Sequence, residues 1–312
     1  MLILIAGISG NIGKHAAAHA IATGHTVRGL GRSPEKLPTD VRSGLESFVT
    51  SSSYYDIAAL DHACAGADAV ICAYSGLPEL HLDGQLLLLR SAERAGIKRF
   101  LAASWNYDWR KIRFGVDEPV YDAAIAFKRQ AEISSSIKPC WILSGMLAEV
   151  FFGIEGQRGF TPRDGGVWDA WADKGKKSMD IWGTGEEEWV FTTEEDAGRV
   201  GVEVVAAEGA EKGGFASVAS WRCSLNEVRR VYEKVRQEQV DVNWKGSVGE
   251  STTLAVRMKS ELGPDRFWEW HCSWFMLFCV KGTWNLDTLE NQRFEQIAFT
   301  GLEKFLREHA QV

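Results

Sequence analysis

The sequence has little positive charge with which to bind a nucleic acid or an anionic surface. Its 35 Lys and Arg residues are outnumbered by 42 Asp and Glu residues, which gives a formal net charge of -7. Nucleic-acid-binding domains usually carry a basic patch and a high isoelectric point. We therefore expect neither a nucleic acid nor a membrane as a partner. The hydrophobic content of 45% and the charged content of 25% are typical of a soluble globular protein.

The sequence also shows no pattern typical of a targeting segment, of paired cysteines or of a metal-ligand cluster. The first apolar run has no basic segment before it and ends at a glycine, which favours a strand over a signal peptide. The apolar segment 267–280 is interrupted by Glu269 and is too short to cross a bilayer. The six cysteines form no C-x-x-C pair, which favours reduced thiols in a cytoplasmic protein. His15 and His19 lack a third ligand, so we expect no metal site.

The first two dozen residues present a strand, a glycine turn and a helix in succession. Residues 2–6 are an apolar run of strand length, and residues 14–22 are rich in alanine, as is typical of a helix. In this context the glycines permit a tight turn, the close approach of a pyrophosphate and the packing of helix on strand. The helix N-terminus attracts phosphate. The segment therefore predicts a dinucleotide site that comprises Gly7, Ser9, Gly10, Asn11, Ile12 and Gly13.

The end of the second strand indicates which dinucleotide binds. The strand covers 26–31 and is followed by Arg32 and Ser33. Enzymes that use NAD usually place an acidic residue here to hold the ribose, whereas an arginine suits the 2′-phosphate of NADP. The missing acid favours NADP, with Arg32 and Ser33 as contacts. The alternative is a solvated surface arginine.

Further strands and helices alternate along the first half of the chain. Strands are expected at 46–50, 68–73, 99–103 and 140–144, with helices at 56–65, 80–95 and 120–135. This alternation of strands and helices predicts an α/β fold with a Rossmann-like, doubly wound parallel sheet. Ligands bind at the carboxyl ends of such strands. Cofactor contacts are accordingly expected from Tyr74, Ser75, Gly76, Ser104, Gly145 and Met146, and substrate contacts from Trp105, Asn106 and Tyr107.

The second half of the chain has a different character. Eleven of the 13 tryptophans lie at position 141 or later. We expect residues 1–150 to form an NADP-binding Rossmann domain, which a late strand near 215–219 joins. Residues 151–312 would form a smaller, Trp-rich, mostly α substrate-binding portion, with final helices at 250–262, 265–281 and 288–308. Aromatic walls suit a small-molecule cleft, although packing in the core is the favoured interpretation for any one tryptophan.

Three segments together resemble the family of the isoflavone reductases and the fungal nitrogen regulator NmrA, an atypical branch of the short-chain dehydrogenases. The segments are the glycine motif with Arg32, the stretch 104–107 with Phe127-Lys128, and 181–185 leading to 192–196. The resemblance is good over 1–150 and weaker beyond 207. In character the chain is most similar to fungal members of secondary metabolism.

The resemblance implies an NADPH-binding fold in which Lys128 takes the place of the family's catalytic lysine and also contacts the cofactor. In the main short-chain dehydrogenases a tyrosine stands four residues before the lysine, but here that residue is Ala124. Tyr121 precedes Lys128 by seven residues, on the same helical face, and is the second catalytic candidate. Without the resemblance, Lys128 beside Arg129 would be interpreted as a surface lysine.

Together these features predict an NADPH-dependent reductase. It would act on a C=O, C=N or electron-poor C=C bond of a bulky aromatic small molecule. Two alternatives stay open. One is a redox-sensing regulator that binds NADP without turnover and acts on a protein partner. The other is an NADPH-assisted catalyst of cyclisation or rearrangement, which the missing tyrosine at position 124 permits.

Overall fold

The structure is a computed structural model that describes residues 1–75, 79–117, 119–154, 160, 162, 165–169, 176–283 and 285–312. Its strands are β1 (Leu2–Ala6), β2 (Thr26–Gly31), β3 (Ser47–Thr50), β4 (Ala69–Cys72), β5 (Arg99–Leu101), β6 (Cys140–Leu143), β7 (Met146–Leu147), β8 (Trp168–Asp169), β9 (Lys177–Trp182), β10 (Glu188–Thr192), β11 (Gly214–Ser217), β12 (Trp221–Ser224) and β13 (Val240–Gly246). Its helices are α1 (Asn11–Ala22), α2 (Thr39–Ser43), α3 (Ile57–Cys64), α4 (Gln85–Arg94), α5 (Pro119–Ser134), α6 (Ala148–Phe151), α7 (Glu194–Ala206), α8 (Leu225–Arg236), α9 (Val248–Leu262), α10 (Phe267–Val280) and α11 (Leu302–Glu308).

Seven parallel strands form the central sheet, in the order β11-β6-β5-β4-β1-β2-β3. Strand β1 lies between β2 and β4, so that Ile5 pairs with both Gly29 and Ile71. Residues 69–72 are fully buried, as expected for a strand covered on both faces. The strand order reverses between β1 and β4, and ligands bind at such a reversal in doubly wound sheets. The predicted α/β fold is confirmed.

Helices α1 and α7 pack side by side on one face of this sheet. A Cβ atom on Gly198 would lie 2.7 Å from the main-chain nitrogen of Ala16, so only glycine permits this approach. Three residues further along α1 and five further along α7, His19 Nε2 lies 2.8 Å from Glu203 Oε1. The two helices therefore run in parallel, and both begin at the carboxyl edge of the sheet.

The second half of the chain contains more strand structure than expected. Helices predominate there, but two three-stranded sheets accompany them, β12-β10-β7 and β13-β9-β8. Strand β11 pairs in parallel with β6 and completes the central sheet. Of the helices expected near the C-terminus, α9 and α10 are present at 248–262 and 267–280.

The prediction of a helix over 288–308 is wrong for most of that segment. Only Leu302–Glu308 is helical, preceded by a short 3₁₀ turn at Asn291–Arg293. The reason is that this segment makes hydrogen bonds to the strand β11 and the residues after it. Glu290 N donates to Ser217 O, and the Asn291 side chain bonds both the N–H and the carbonyl of Ala219. These bonds replace those that a helix would make.

Two tryptophans of α10, Trp270 and Trp274, pack against other elements of the protein. Trp270 is buried and its Nε1 donates to Gly263 O, while Trp274 Nε1 donates to Ala255 O. The Lys259 ammonium lies over both rings, 5.3 and 4.7 Å from their centroids. Core packing is therefore the role of these two residues. None of the described helices combines the length and apolar character that a bilayer crossing requires.

Candidate functional site

The glycine turn after β1 has the close packing that its sequence predicts. Gly7 has a φ of +77°, and its N–H donates to Leu30 O at the end of β2. A Cβ atom on Gly7 would lie 2.7 Å from Ala73 O, and one on Gly13 would lie 2.4 Å from Gly7 O. The turn therefore requires glycine at both positions, and it brings the ends of β1, β2 and β4 together.

The first turn of α1 is suited to an anion. Gly10 is the N-cap and supplies no side-chain hydrogen bond, and the first turn contains no acidic residue. Free N–H groups and the positive end of the helix dipole attract phosphate at such a position. Ser9 is half-buried, and its Oγ would lie 3.8 Å from a Cβ atom on Gly31. Asn11 is exposed and Ile12 half-buried. The predicted pyrophosphate residues thus lie together.

Arg32 lies at the carboxyl end of β2, beside the glycine turn. It is exposed, and it has no hydrogen bond or ion pair with the described residues. Arg28 on the same strand, by contrast, donates to Glu46, Ser47 and the main chain at the C-terminal end of α3. Ser33 is half-buried and precedes a short 3₁₀ turn. The guanidinium of Arg32 is therefore available to an anionic ligand.

Tyr74 follows β4 and covers the glycine turn. Its ring carbon Cδ1 would lie 3.3 Å from a Cβ atom on Gly7. Burial raises the pKa of its phenol above the ordinary value, so the group stays neutral. Ser75 is exposed, and Gly76 lies outside the described residues.

Ser104 and Trp105, at the end of β5, are directed into the protein. The Ser104 hydroxyl bridges the main chain of Ile142, donating to its carbonyl at 3.1 Å and accepting from its N–H at 3.0 Å. Trp105 Nε1 donates to Ala197 O on α7 at 3.1 Å. Both groups join neighbouring elements, and their predicted ligand contacts stay predictions.

Asn106 connects three elements at the carboxyl edge. Its main-chain oxygen accepts from the N–H groups of Ser144 and Gly145, at 2.8 and 3.2 Å. Its side-chain Oδ1 accepts from Tyr107 N at 2.9 Å and from the Tyr121 hydroxyl at 2.8 Å. Tyr121 belongs to α5 and is 4% exposed. The structure thus brings together one predicted catalytic residue and two predicted substrate contacts.

Tyr107 connects this cluster to α10. Its hydroxyl lies 3.1 Å from Cys279 Sγ, and its ring meets that of Phe275 edge-on at 5.2 Å. Burial and the neighbouring Cys279 thiol raise the pKa of Tyr107 well above its ordinary value. The sequence carries no signal for Cys279 or Phe275, because their partner is remote in the chain.

Lys128 has a partner on its own helix. Its Nζ lies 2.5 Å from Glu132 Oε1, one turn further along α5. Because α5 begins at the carboxyl edge of the sheet, this pairing directs the ammonium away from that edge.

Gly145, a predicted cofactor contact, follows β6. It has a φ of +66°, and a Cβ atom there would lie 2.4 Å from Val190 O. Met146 is buried and pairs with Phe191 of β10.

A buried carboxyl near the site was missed by the sequence interpretation. Glu149 on α6 is 8% exposed, and its Oε2 accepts from Glu194 N, at the start of α7, at 3.0 Å. Burial, followed by the nearby Glu194 charge, raises the pKa of Glu149 to about 8. Within the described ranges, no group of three or more His, Cys, Asp or Glu side chains could hold a metal ion.

The doubly wound sheet and the glycine turn define a protein with a Rossmann-type dinucleotide-binding fold. Residues 1–245 match the model of the NmrA-like family, and the chain belongs to that family. This confirms the family resemblance seen in the sequence.

Two curated relatives are plant reductases. The chain is 29% identical over 208 residues to phenylcoumaran benzylic ether reductase IRL1 of Ginkgo biloba. The aligned region covers 63% of this chain and 62% of that protein. It is 27% identical over 246 residues to phenylcoumaran benzylic ether reductase PT1 of Pinus taeda, covering 74% of each. A solved structure of AtPrR2 with NADP+ and (+)pinoresinol matches with a TM-score of 0.72 and 18% identity, covering 98% of this chain and 97% of that one. The likeness to fungal members stays a prediction.

Proposed function

We propose that this protein is an NADPH-dependent reductase of a C=O, C=N or electron-poor C=C bond in a bulky aromatic small molecule. The observation that carries the proposal is the part-buried Tyr121–Asn106 hydrogen bond, at the carboxyl edge of the sheet that also holds the glycine turn. The relatives named above are reductases, and one structural neighbour binds an aromatic ligand with NADP+.

The described residues fit the cofactor. The first turn of α1 would hold the pyrophosphate, and Arg32 with Ser33 would hold the 2′-phosphate. Tyr74, Ser104 and Gly145, which follow β4, β5 and β6, would contact the rest of the cofactor. When bound, NADPH supplies the hydride. The protein supplies position, a dry surface and the proton.

Tyr121 is the better placed of the two proton donors. It lies in the first turn of α5, at the carboxyl edge. Lys128 is seven residues further along, or about 10 Å at 1.5 Å per residue. Its ammonium is also paired with Glu132. We therefore propose Tyr121 as the acid and Lys128 as the alternative that the family resemblance implies.

Two variants decide between these candidates. Loss of NADPH absorbance is first screened against aromatic aldehydes, ketones and imines, and single-turnover rates are then measured. A positioned acid contributes about 10²–10⁴-fold, so Tyr121→Phe should lower the rate by that factor. Lys128→Met, which keeps the aliphatic stem, should have a much smaller effect on both rate and NADPH affinity. The reverse result would assign the proton to Lys128.

The alternatives make different predictions in the same screen. A regulator would bind NADPH without turnover and would bind a protein partner according to the redox state of the cofactor. A cyclisation catalyst would convert its substrate with no net consumption of NADPH. A cytoplasmic location stays a prediction. All six cysteines lie within the described residues and are buried, and none of them forms a disulfide bond.

A further inference from the structure

The side-chain amide of Asn106 has one orientation that its hydrogen bonds allow. The main-chain N–H of Tyr107 can only donate, so the Asn106 atom 2.9 Å from it must be the oxygen Oδ1. The Tyr121 hydroxyl donates to the same oxygen. The amide nitrogen Nδ2 takes no part in these bonds, and it has no hydrogen-bond partner among the residues that the structure describes. Two N–H donors are therefore left for a ligand.

The surroundings of Asn106 make these donors effective. The side chain is half-buried between Tyr107 and Tyr121, which are 3% and 4% exposed. The bonds to Oδ1 hold the amide plane in place and polarise its N–H groups. Fixed donors in a site of low polarity stabilise developing negative charge without having to reorganise. The position at the end of β5 is also where ligands of such folds react.

We propose that Asn106 Nδ2 donates a hydrogen bond to the substrate atom on which negative charge develops during reduction. This inference rests on the proposed function. When a hydride adds to the carbon of a C=O or C=N bond, the π electron pair moves to the oxygen or nitrogen. In a conjugated C=C bond the charge reaches the oxygen of the activating carbonyl. A proton from the Tyr121 hydroxyl completes the product, and NADPH is the reductant that is oxidised.

Asn106→Asp tests this role against a merely structural one. Aspartate has the same shape and keeps an acceptor for both Tyr107 N and the Tyr121 hydroxyl, but it loses both N–H donors and adds negative charge. We expect the single-turnover rate with 4-nitrobenzaldehyde, an activated aromatic carbonyl, to fall about 10²–10³-fold, as for other donors to an oxyanion. NADPH affinity and thermal stability should stay close to those of the parent. Asn285→Asp adds the same charge outside the cluster and serves as the control.

The double variant Asn106→Asp/Tyr121→Phe separates a direct contact from an effect through Tyr121. If Asn106 only holds the phenol, the aspartate should have no further effect once the phenol is removed, and that result would overturn the proposal. A direct contact predicts that the loss persists in the Tyr121→Phe background. Should the aspartate variant fail to fold, Asn106→Ala, whose side chain has no donor, replaces it in the Tyr121→Phe background with the same expectation.

A binding measurement on the cofactor-free protein needs no turnover. Benzoate combines an aromatic ring with an oxyanion, and calorimetry gives its affinity. One charge-assisted hydrogen bond corresponds to a change of about tenfold or more, so Asn106→Asp should bind benzoate at least tenfold more weakly than the parent. Equal affinities, or no benzoate binding by the parent, would refute the role of Asn106. A parent that binds benzoate through Asn106 but reduces no carbonyl would refute the proposed function alone.

Discussion

Replacing Glu149 by glutamine should change how the stability of the protein depends on pH. Glu149 is buried against the start of α7, where Glu194 N donates to its Oε2 at 3.0 Å. Burial raises its pKa from 4.5 to about 8, and the charges of Glu194 and then Asp196 add to the effect. Glutamine keeps the shape and an oxygen acceptor for Glu194 N, but it cannot ionise. The substitution therefore removes one titration and little else.

The raised pKa determines the pH window of this effect. Below pH 4.5 the carboxyl is protonated in both the folded and the unfolded chain, and its titration does not change stability. Between 4.5 and about 8 the folded chain keeps the proton that the unfolded chain loses. The free energy of unfolding of the parent therefore falls as the pH rises through this window. At about 1.4 kcal/mol per pKa unit, the fall is at most roughly 5 kcal/mol.

Urea unfolding at pH 5, 6, 7 and 8 measures this difference. Relative to the parent, Glu149→Gln should gain about 2–5 kcal/mol of stability between pH 5 and pH 8. Glu208→Gln, at an exposed site just beyond the other end of α7, is the matched control and should follow the parent. If the parent and Glu149→Gln show the same pH dependence, the carboxyl is ionised in the folded protein and the reasoning about its burial fails.

Two further predictions concern the cofactor. Arg32→Ala should weaken NADPH binding by about ten- to a hundredfold, because a charge-assisted hydrogen bond contributes roughly 1.5–3 kcal/mol. The affinity for NADH should hardly change. An equal loss of affinity for both cofactors, measured by calorimetry, would show that Arg32 supports the fold instead. Gly10→Val should abolish NADPH binding and leave the fold intact, because its Cβ atom would lie 3.1 Å from Gly7 O, a contact that a small shift relieves. Gly13→Val is the contrasting variant, since its Cβ atom would lie 2.4 Å from the same oxygen and should destabilise the turn. If Gly10→Val binds NADPH as tightly as the parent, the assignment of the pyrophosphate to this turn is wrong.

Much of the fold follows from local patterns. The strands at 2–6 and 26–31 have the predicted bounds, because continuous apolar runs between turns leave few alternatives. The N-caps Thr193 and Ser224 also follow from local sequence, because each side chain accepts the N–H three residues further on, from Asp196 and from Glu227. The segment after 288 was not predictable in this way. Its conformation is set by hydrogen bonds to Ser217 and Ala219, residues that no local pattern connects with it.

At the candidate site, too, local features were predictable and contacts between remote residues were not. The glycine turn is local, so its spacing predicts its packing. The contact between Tyr107 and Cys279 joins residues 172 positions apart, and the burial of Glu149 depends on the start of α7. Helical spacing places Tyr121 and Lys128 on one face of α5, but it does not tell which of them reaches the carboxyl edge. That answer requires the direction of the helix relative to the sheet.

The direction of α5 also gives the missing tyrosine at position 124 a physical consequence. A phenol at 121 lies three residues, or about 4.5 Å along the helix axis, nearer to the carboxyl edge than one at 124 would. At that level it meets the Asn106 amide, and the 2.8 Å bond between them is the result. Lys128 is therefore farther from the phenol of Tyr121 than it would be from a phenol at position 124. Its ammonium pairs with Glu132. The arrangement favours an acid and a charge-stabilising donor supplied by the start of α5 and the end of β5, which is why Tyr121 and Asn106 are the residues to vary first.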